Sequence, residues 1–205
     1  MSTIKQIIEE HQRGLLYRDG RLVKWLEPGR HSYWGWGAQW RIELIDIEQG
    51  YTRSTPELRA ILPEEAGFEV SLEEHELAVV SIDNKPTSVL EAGRYILWQI
   101  RHDVRVTVYD TRELMASMPL EHEALMAPLQ RLLVYTINDN QLGVLSVNGK
   151  AHTLLEPGRH QLWQSARNPH RLTYLSVDTG YVSTGSMPEI ARVLPPKAAN
   201  PLEVA

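Results

Sequence analysis

One passage recurs three times along the chain, and that repetition restricts the fold more than any other feature. LVKWLEPGRHSYW lies near the start, HTLLEPGRHQLW near the end and TSVLEAGRYILW between them. Anchored on Gly29, Gly93 and Gly158, the copies are spaced by 64 and 65 residues. Fifteen positions before each glycine is a small residue (Gly14, Ala78, Gly143), and ten before is a turn-former (Asp19, Asp83, Asn148). Leu26, Leu90 and Leu155 precede by three, and Glu27, Glu91 and Glu156 by two. Arg30, Arg94 and Arg159 follow by one, and Trp34, Trp98 and Trp163 by five. So many agreements at fixed offsets mark one supersecondary unit written three times. The first and third copies also agree downstream, where RIELIDIEQGY (41–51) and TPELRAILP parallel RLTYLSVDTGY (171–181) and MPEIARVLP. The second keeps VRVTVYD (104–110) and then diverges.

Within a copy the local signals are those of β-structure. Asp19-Gly20 and Asn148-Gly149 each separate two apolar runs, the strongest short-range sign of a hairpin. Pro28-Gly29 and Pro157-Gly158 read as type II turns, the proline setting φ and the glycine admitting positive φ. Ala92 replaces the proline in the second copy, but Gly93 stays. In this reading the flanking glutamate and arginine pair across a hairpin, and the tryptophan fills the core of its copy, stacking on a sugar or peptide being the alternative. Ile42 and Leu44 alternate with Arg41 and Glu43, as Val104, Val106 and Val108 do with Arg105 and Thr107, so a further strand follows. Helical character falls between copies, in PELRAILPEE (56–65) and in PLEHEALMAPLQRLLVYTI (119–137), a longer helix broken near Pro128. FEVSLEEHELAVVSI (68–82) is a strand candidate leading into the second copy.

The expected fold is therefore mainly β with short helices: three tandem antiparallel β-meander units, small barrel or sandwich-like, linked by helical spacers. The boundaries are 1–66, 67–132 and 133–196, with a flexible tail at 197–205. Each copy has about 50 to 60 residues, near the lower limit for folding alone.

The pattern GLLYRDGRLVKWLEPGRHSYW, then VLEAGRYILW, then LLEPGRHQLW resembles the N-terminal region of bacterial slipins, relatives of stomatin and prohibitin. The likeness runs from Arg13 to Pro195; vault-type repeats are a weaker analogue. The resemblance implies ring, cage or membrane-microdomain scaffolding. The stomatin-type domain and coiled coil that follow in those relatives have no counterpart in the 205 residues.

Composition narrows the function further. A formal charge of -5, without a basic stripe, disfavours nucleic acid. The absence of cysteine excludes disulfides, thiolate metal sites and cysteine nucleophiles. No apolar run approaches the roughly 18 residues of a spanning helix, and the N-terminus places acids where a secretory signal needs an apolar stretch. A cytoplasmic protein is expected, with peripheral contact at the inner membrane left open.

No motif carries chemistry. Glu27, Arg30 and His31 could bind an anion or share a proton, but His31 is Tyr95 in the second copy. The eight histidines include no His-Glu-x-x-His, and Glu121, His122 and Glu123 are adjacent on a helix and so do not face one site. Gly-x-Ser-x-Gly and the phosphate-binding loop are absent, and Ser183-Thr184-Gly185-Ser186 reads as a polar turn. No catalytic residue, metal or cofactor is expected. Glu27, Pro28, Gly29, Arg30, Trp34, Gly93, Arg94, Trp98, Glu156, Pro157, Gly158, Arg159 and Trp163 are assigned to turns and core. The leading expectation is a non-enzymatic scaffold that assembles with itself, as a homo-oligomer, or with a protein partner. A protein- or peptide-binding adaptor of a slipin-like membrane-associated complex and an enzyme with an unrecognised site in 111–140 are the alternatives.

Overall fold

The computed structural model describes residues 2–164 and 169–176. The chain is mainly β, 60% strand and 11% helix, in several small antiparallel sheets. It divides into two compact units, Met1–Asp110 and Thr111–Ala205.

The first unit opens with β1 (Ser2–Ile8), β2 (Gln12–Arg18), β3 (Arg21–Leu26), β4 (Gly29–Gly35), β5 (Trp40–Asp46) and β6 (Tyr51–Arg53), then α1 (Pro56–Ile61) and a 3-10 turn at Glu64–Ala66. It continues with β7 (Gly67–Leu72), β8 (Glu76–Ile82), β9 (Lys85–Leu90), β10 (Gly93–Trp98) and β11 (Val104–Asp110). The second unit holds β12 (Met115–Ala116), α2 (Leu120–Met126), a 3-10 turn at Ala127–Leu129, β13 (Leu132–Ile137), β14 (Gln141–Val147), β15 (Lys150–Leu155), β16 (Gly158–Trp163) and β17 (His170–Ser176). The long helix expected over 119–137 is shorter: residues 132–137 are strand, after a left-handed Gln130 (φ 52°) that ends the helical run. The 68–82 stretch is two strands, interrupted by a turn in which Glu76 N–H donates to the Glu73 carbonyl.

One three-stranded arrangement, a hairpin joined on its first strand by a later strand, recurs in each copy, as β3-β2-β5, β9-β8-β11 and β15-β14-β17. Its hairpin turns are Asp19-Gly20, Asp83-Asn84 and Asn148-Gly149, with φ of 51° and 80°, 51° and 65°, and 52° and 76°. Positive φ at both central residues is the type I′ turn, whose twist matches that of the strands. Asp19 and Asp83 also tie the turn to the strand beyond it: their side chains accept from Gln39 N–H at 2.8 Å and Asp103 N–H at 3.0 Å. The register slips at one equivalent place in each hairpin, after Leu16, Val80 and Leu145, where an extra residue (Val23, Thr87, His152) bends the strand.

Facing each three-stranded sheet is a second small sheet, and the core lies between the two. In the first copy Ile8 of β1 packs on Leu16 and Leu26, with Tyr33, Trp40 and Ile42 around them. In the second, Leu72, Val80, Leu90, Tyr95 and Leu97 do the same, and in the third Ile137, Leu145, Leu155 and Leu162. The small residue fifteen before each anchor is set by this packing. A Cβ on Gly14 would collide with Ile8 Cδ1, and one on Gly143 with Ile137 Cδ1. Where the position carries Ala78, its neighbour is Leu72 instead of isoleucine.

Candidate functional site

The Glu-Pro-Gly-Arg segment is not a hairpin turn. β3 pairs with β2 and β4 with β1, so the chain crosses from one sheet to the other between them. Gly29, Gly93 and Gly158 stand at that crossing with φ of 137°, 149° and 140°, well beyond the +80° of a type II turn. Only glycine takes this conformation without strain. After Pro28 and Pro157, the ring of His31 or His160 closes the corner through Nε2, 2.8 Å from the carbonyl of Glu27 or Glu156.

The expected pairing of glutamate with arginine across the turn is also replaced. Glu27 accepts from Trp25 Nε1 at 2.8 Å and forms an ion pair with buried Arg13 at 2.9 Å. Arg13 donates further to the carbonyls of Glu10 and Gln12, so the two charged groups Arg13 and Glu27 that line the small cleft of about 230 Å³ are paired with each other and with neighbouring groups. Arg159 pairs with Glu123 of α2, whose carboxylate also accepts from Gln161 Nε2 at 2.7 Å. Those bonds, Arg159 first, hold the Glu123 carboxyl below the usual carboxylate range. Glu123 is thereby a tether between α2 and β16. Among the described residues no three His, Cys, Asp or Glu converge as a metal site requires. No described helix is long and apolar enough to cross a membrane. Ser183-Thr184-Gly185-Ser186 lies outside the described residues, as do residues 177–181 and MPEIARVLP of the downstream parallel.

What distinguishes one region is the fate of the tryptophans. Trp98 is 1% exposed and Trp163 2%, but Trp34 is 66% exposed, so the core role expected of all three does not hold for the first. The cause is a strand and a helix that have no counterpart beside the first copy among the described residues. β6 adds to β10 in a three-stranded sheet β6-β10-β7, and β12 adds to β16 in β12-β16-β13. The first copy has only β1-β4 among the described residues, with the far side of β4 unpaired. In β10 the added strand fixes the tryptophan backbone: Trp98 N–H donates to the Gly50 carbonyl at 2.9 Å, and Ser54 N–H to the Arg94 carbonyl. Trp163 N–H makes the same bond to Leu114.

α1 and the three-stranded sheet of the first copy then cover the outer face of β10. Leu15, Trp25, Ile47, Leu58 and Ala66 bury Ile96 and Trp98, and Ile100 packs against the same cluster. The rings of Trp25 and Trp98 lie 5.7 Å apart. On β1-β4 the corresponding face is open. Trp34 and Trp36 stand where Trp98 and Ile100 do; Trp36 is 82% exposed and Ile7, across from Arg30, 55%. A groove of about 460 Å³ runs along it, lined by Lys5, Gln6, Ile7, Arg30, His31 and Ser32. The repeat announced Trp34 in the sequence, but not that β4, among the described residues, has β1 alone as its partner. Compared with protein-family models, curated proteins and solved structures, the chain matches none.

Proposed function

We propose that the chain is a non-enzymatic scaffold that assembles, with itself or with a protein partner, through its β-units. The observation that carries this reading is the β1-β4 face, which exposes Trp34, Trp36 and Ile7 beside a strand edge that has no partner among the described residues. Large apolar side chains exposed on one small sheet suit an interaction surface, and an open edge is a template for pairing with another strand. The engaged state of Arg13, Glu27, Glu123 and Arg159 supports the same reading, because the polar clusters are spent on holding elements together. Scaffolding beside a membrane complex, as the slipin resemblance implies, belongs to this proposal. The adaptor alternative uses the same face with a strand from a different protein. Negative-stain imaging with mass photometry tests the reading: uniform rings, cages or filaments are expected, and a homogeneous 23.4 kDa monomer would refute self-assembly.

A further inference from the structure

We infer that β4 pairs antiparallel with β4 of a second copy of this chain, about a two-fold axis at Ser32. The inference rests on the assembly reading above and names the contact through which copies meet. β4 runs Gly29–Gly35, so Ser32 is its middle residue. A strand laid antiparallel on its own duplicate in full overlap sets Gly29 against Gly35, Arg30 against Trp34 and His31 against Tyr33, each twice.

The edge involved is one that this fold pairs. In the second copy β6 lies along β10 with Thr52 opposite Ile96, the counterpart of Ser32, and in the third β12 lies along β16. Trp98 N–H donates to that side of β10, so Arg94, Ile96 and Trp98 direct their amides there. On β4 the same side carries Arg30, Ser32 and Trp34, and among the described residues no strand pairs with it. About the proposed axis, Ser32 N–H donates to the Ser32 carbonyl of the second copy. Arg30 and Trp34 exchange the same bonds on either side.

The side chains of β4 are complementary to themselves. Among the described residues three arginines stand over aromatic rings: Arg18 over Trp40 at 5.5 Å, Arg41 over Tyr17 at 4.1 Å and Arg53 over Tyr95 at 5.7 Å. Each contact joins residues directly opposite one another on antiparallel neighbours, the first two between β2 and β5 and the third between β10 and β6. Full overlap of β4 with its duplicate makes the same cross-strand contact twice, Arg30 of each copy against the exposed Trp34 of the other. The outward-facing row Thr3, Lys5, Ile7, Arg30, Ser32, Trp34 is exposed throughout, so these side chains are available for it.

Charge and size agree with this register. Lys5 lies beside Ser32 on β1, so the two lysines of the pair are separated by both serines and no like charges are opposed. The axis falls on a small side chain, where the other copies carry Ile96 and Gln161. Moving the axis one residue either way shortens the overlap and takes Arg30 off Trp34. The contact is isologous and closes on itself, so any larger assembly contains an even number of chains.

Sedimentation equilibrium of full-length chains tests it by charge exchange. Trp34→Arg sets like charges opposite one another and Arg30→Glu removes both cation–π contacts. Each should raise the dissociation constant at this contact at least about tenfold, the worth of two such contacts. Mixed in equal amounts, the two variants should associate again, because the new carboxylate of one meets the new guanidinium of the other while Arg30 and Trp34 still meet at the second site. The chain has no cysteine, so Ser32→Cys places a sole thiol on the axis. Under mild oxidation it should give a covalent dimer faster than Val23→Cys, which is exposed on β3. A wild-type assembly that neither variant weakens, variants that fail alone and fail to recover when mixed, or a Ser32→Cys dimer no faster than the Val23→Cys one overturns this contact and leaves the scaffold reading standing. A wild-type chain that stays monomeric at every concentration overturns this contact and self-assembly together.

Discussion

Truncating Trp98 to alanine removes a ring that is almost wholly buried and packs on Trp25, Leu58 and Ile96. Tryptophan-to-alanine changes in a core cost about 3–5 kcal/mol, from lost transfer energy and the cavity left behind. One feature of this site lowers the figure: Trp98 Nε1 is buried without a hydrogen-bond partner. Deleting that group recovers about 1 kcal/mol or more of desolvation penalty, so the net loss falls near 3 kcal/mol. Trp34→Ala, at the equivalent position of the first copy, removes a ring that buries little and should change stability by less than about 0.5 kcal/mol. Urea unfolding followed by far-UV circular dichroism, at concentrations low enough that association adds nothing, separates the two. Equal losses at Trp34 and Trp98, or none at Trp98, would refute the claim that coverage by β6 and α1 is what distinguishes the copies. Trp98→Phe is the control, since it keeps a ring and deletes the unpartnered N–H.

Gly29→Ala should cost about 1–3 kcal/mol from backbone strain alone, because open space surrounds its Cβ direction and φ is 137°; thermal unfolding checks it. Gly14→Ala should cost about 1–3 kcal/mol by overpacking against Ile8. Adding Ile8→Leu, which reproduces the Leu72–Ala78 pairing of the second copy, should recover most of that loss in a double-mutant cycle. Glu123 has its carboxyl pKa lowered by Arg159 and then Gln161, from an ordinary 4.5. Its contribution is present above that value and lost as pH falls through the lower folded value, so the stabilities of wild type and Glu123→Gln should converge on acidification in a pH series of urea melts.

The strand pattern was readable because its signals are local. Asp19-Gly20 and Asn148-Gly149 announced their hairpins, and alternation announced β5 and β11. The corner at Gly29 was misread as a hairpin turn because Pro-Gly fixes dihedral angles without saying which strand lies across the turn. Pairing of β4 with β1 instead of β3 is a non-local choice, made by burying Ile8 against Leu16 and Leu26. Helical periodicity carried past Pro128 into residues 132–137 for the same reason, since that run serves a buried strand equally well. Trp34 shows the limit most clearly. Three tryptophans at one offset look equivalent, and the strands that add beside β10 and β16 are what sets the covered ones apart. His31 and His160 sat in the sequence beside the glycine they serve, but nothing there showed that the ring reaches back to the carbonyl four residues earlier.

The central claim, that the β1-β4 face of the first copy is built to receive another chain, is tested most directly by amide hydrogen exchange along β4 over a dilution series. If the claim holds, the edge-facing amides of Arg30, Ser32 and Trp34 exchange rapidly at low concentration, while those of His31 and Tyr33 are held by β1, and they gain protection as concentration rises, approaching that of the equivalent Arg94, Ile96 and Trp98 in β10. If the edge-facing amides of β4 remain unprotected at every concentration, or gain protection without any rise in particle mass, the claim is wrong.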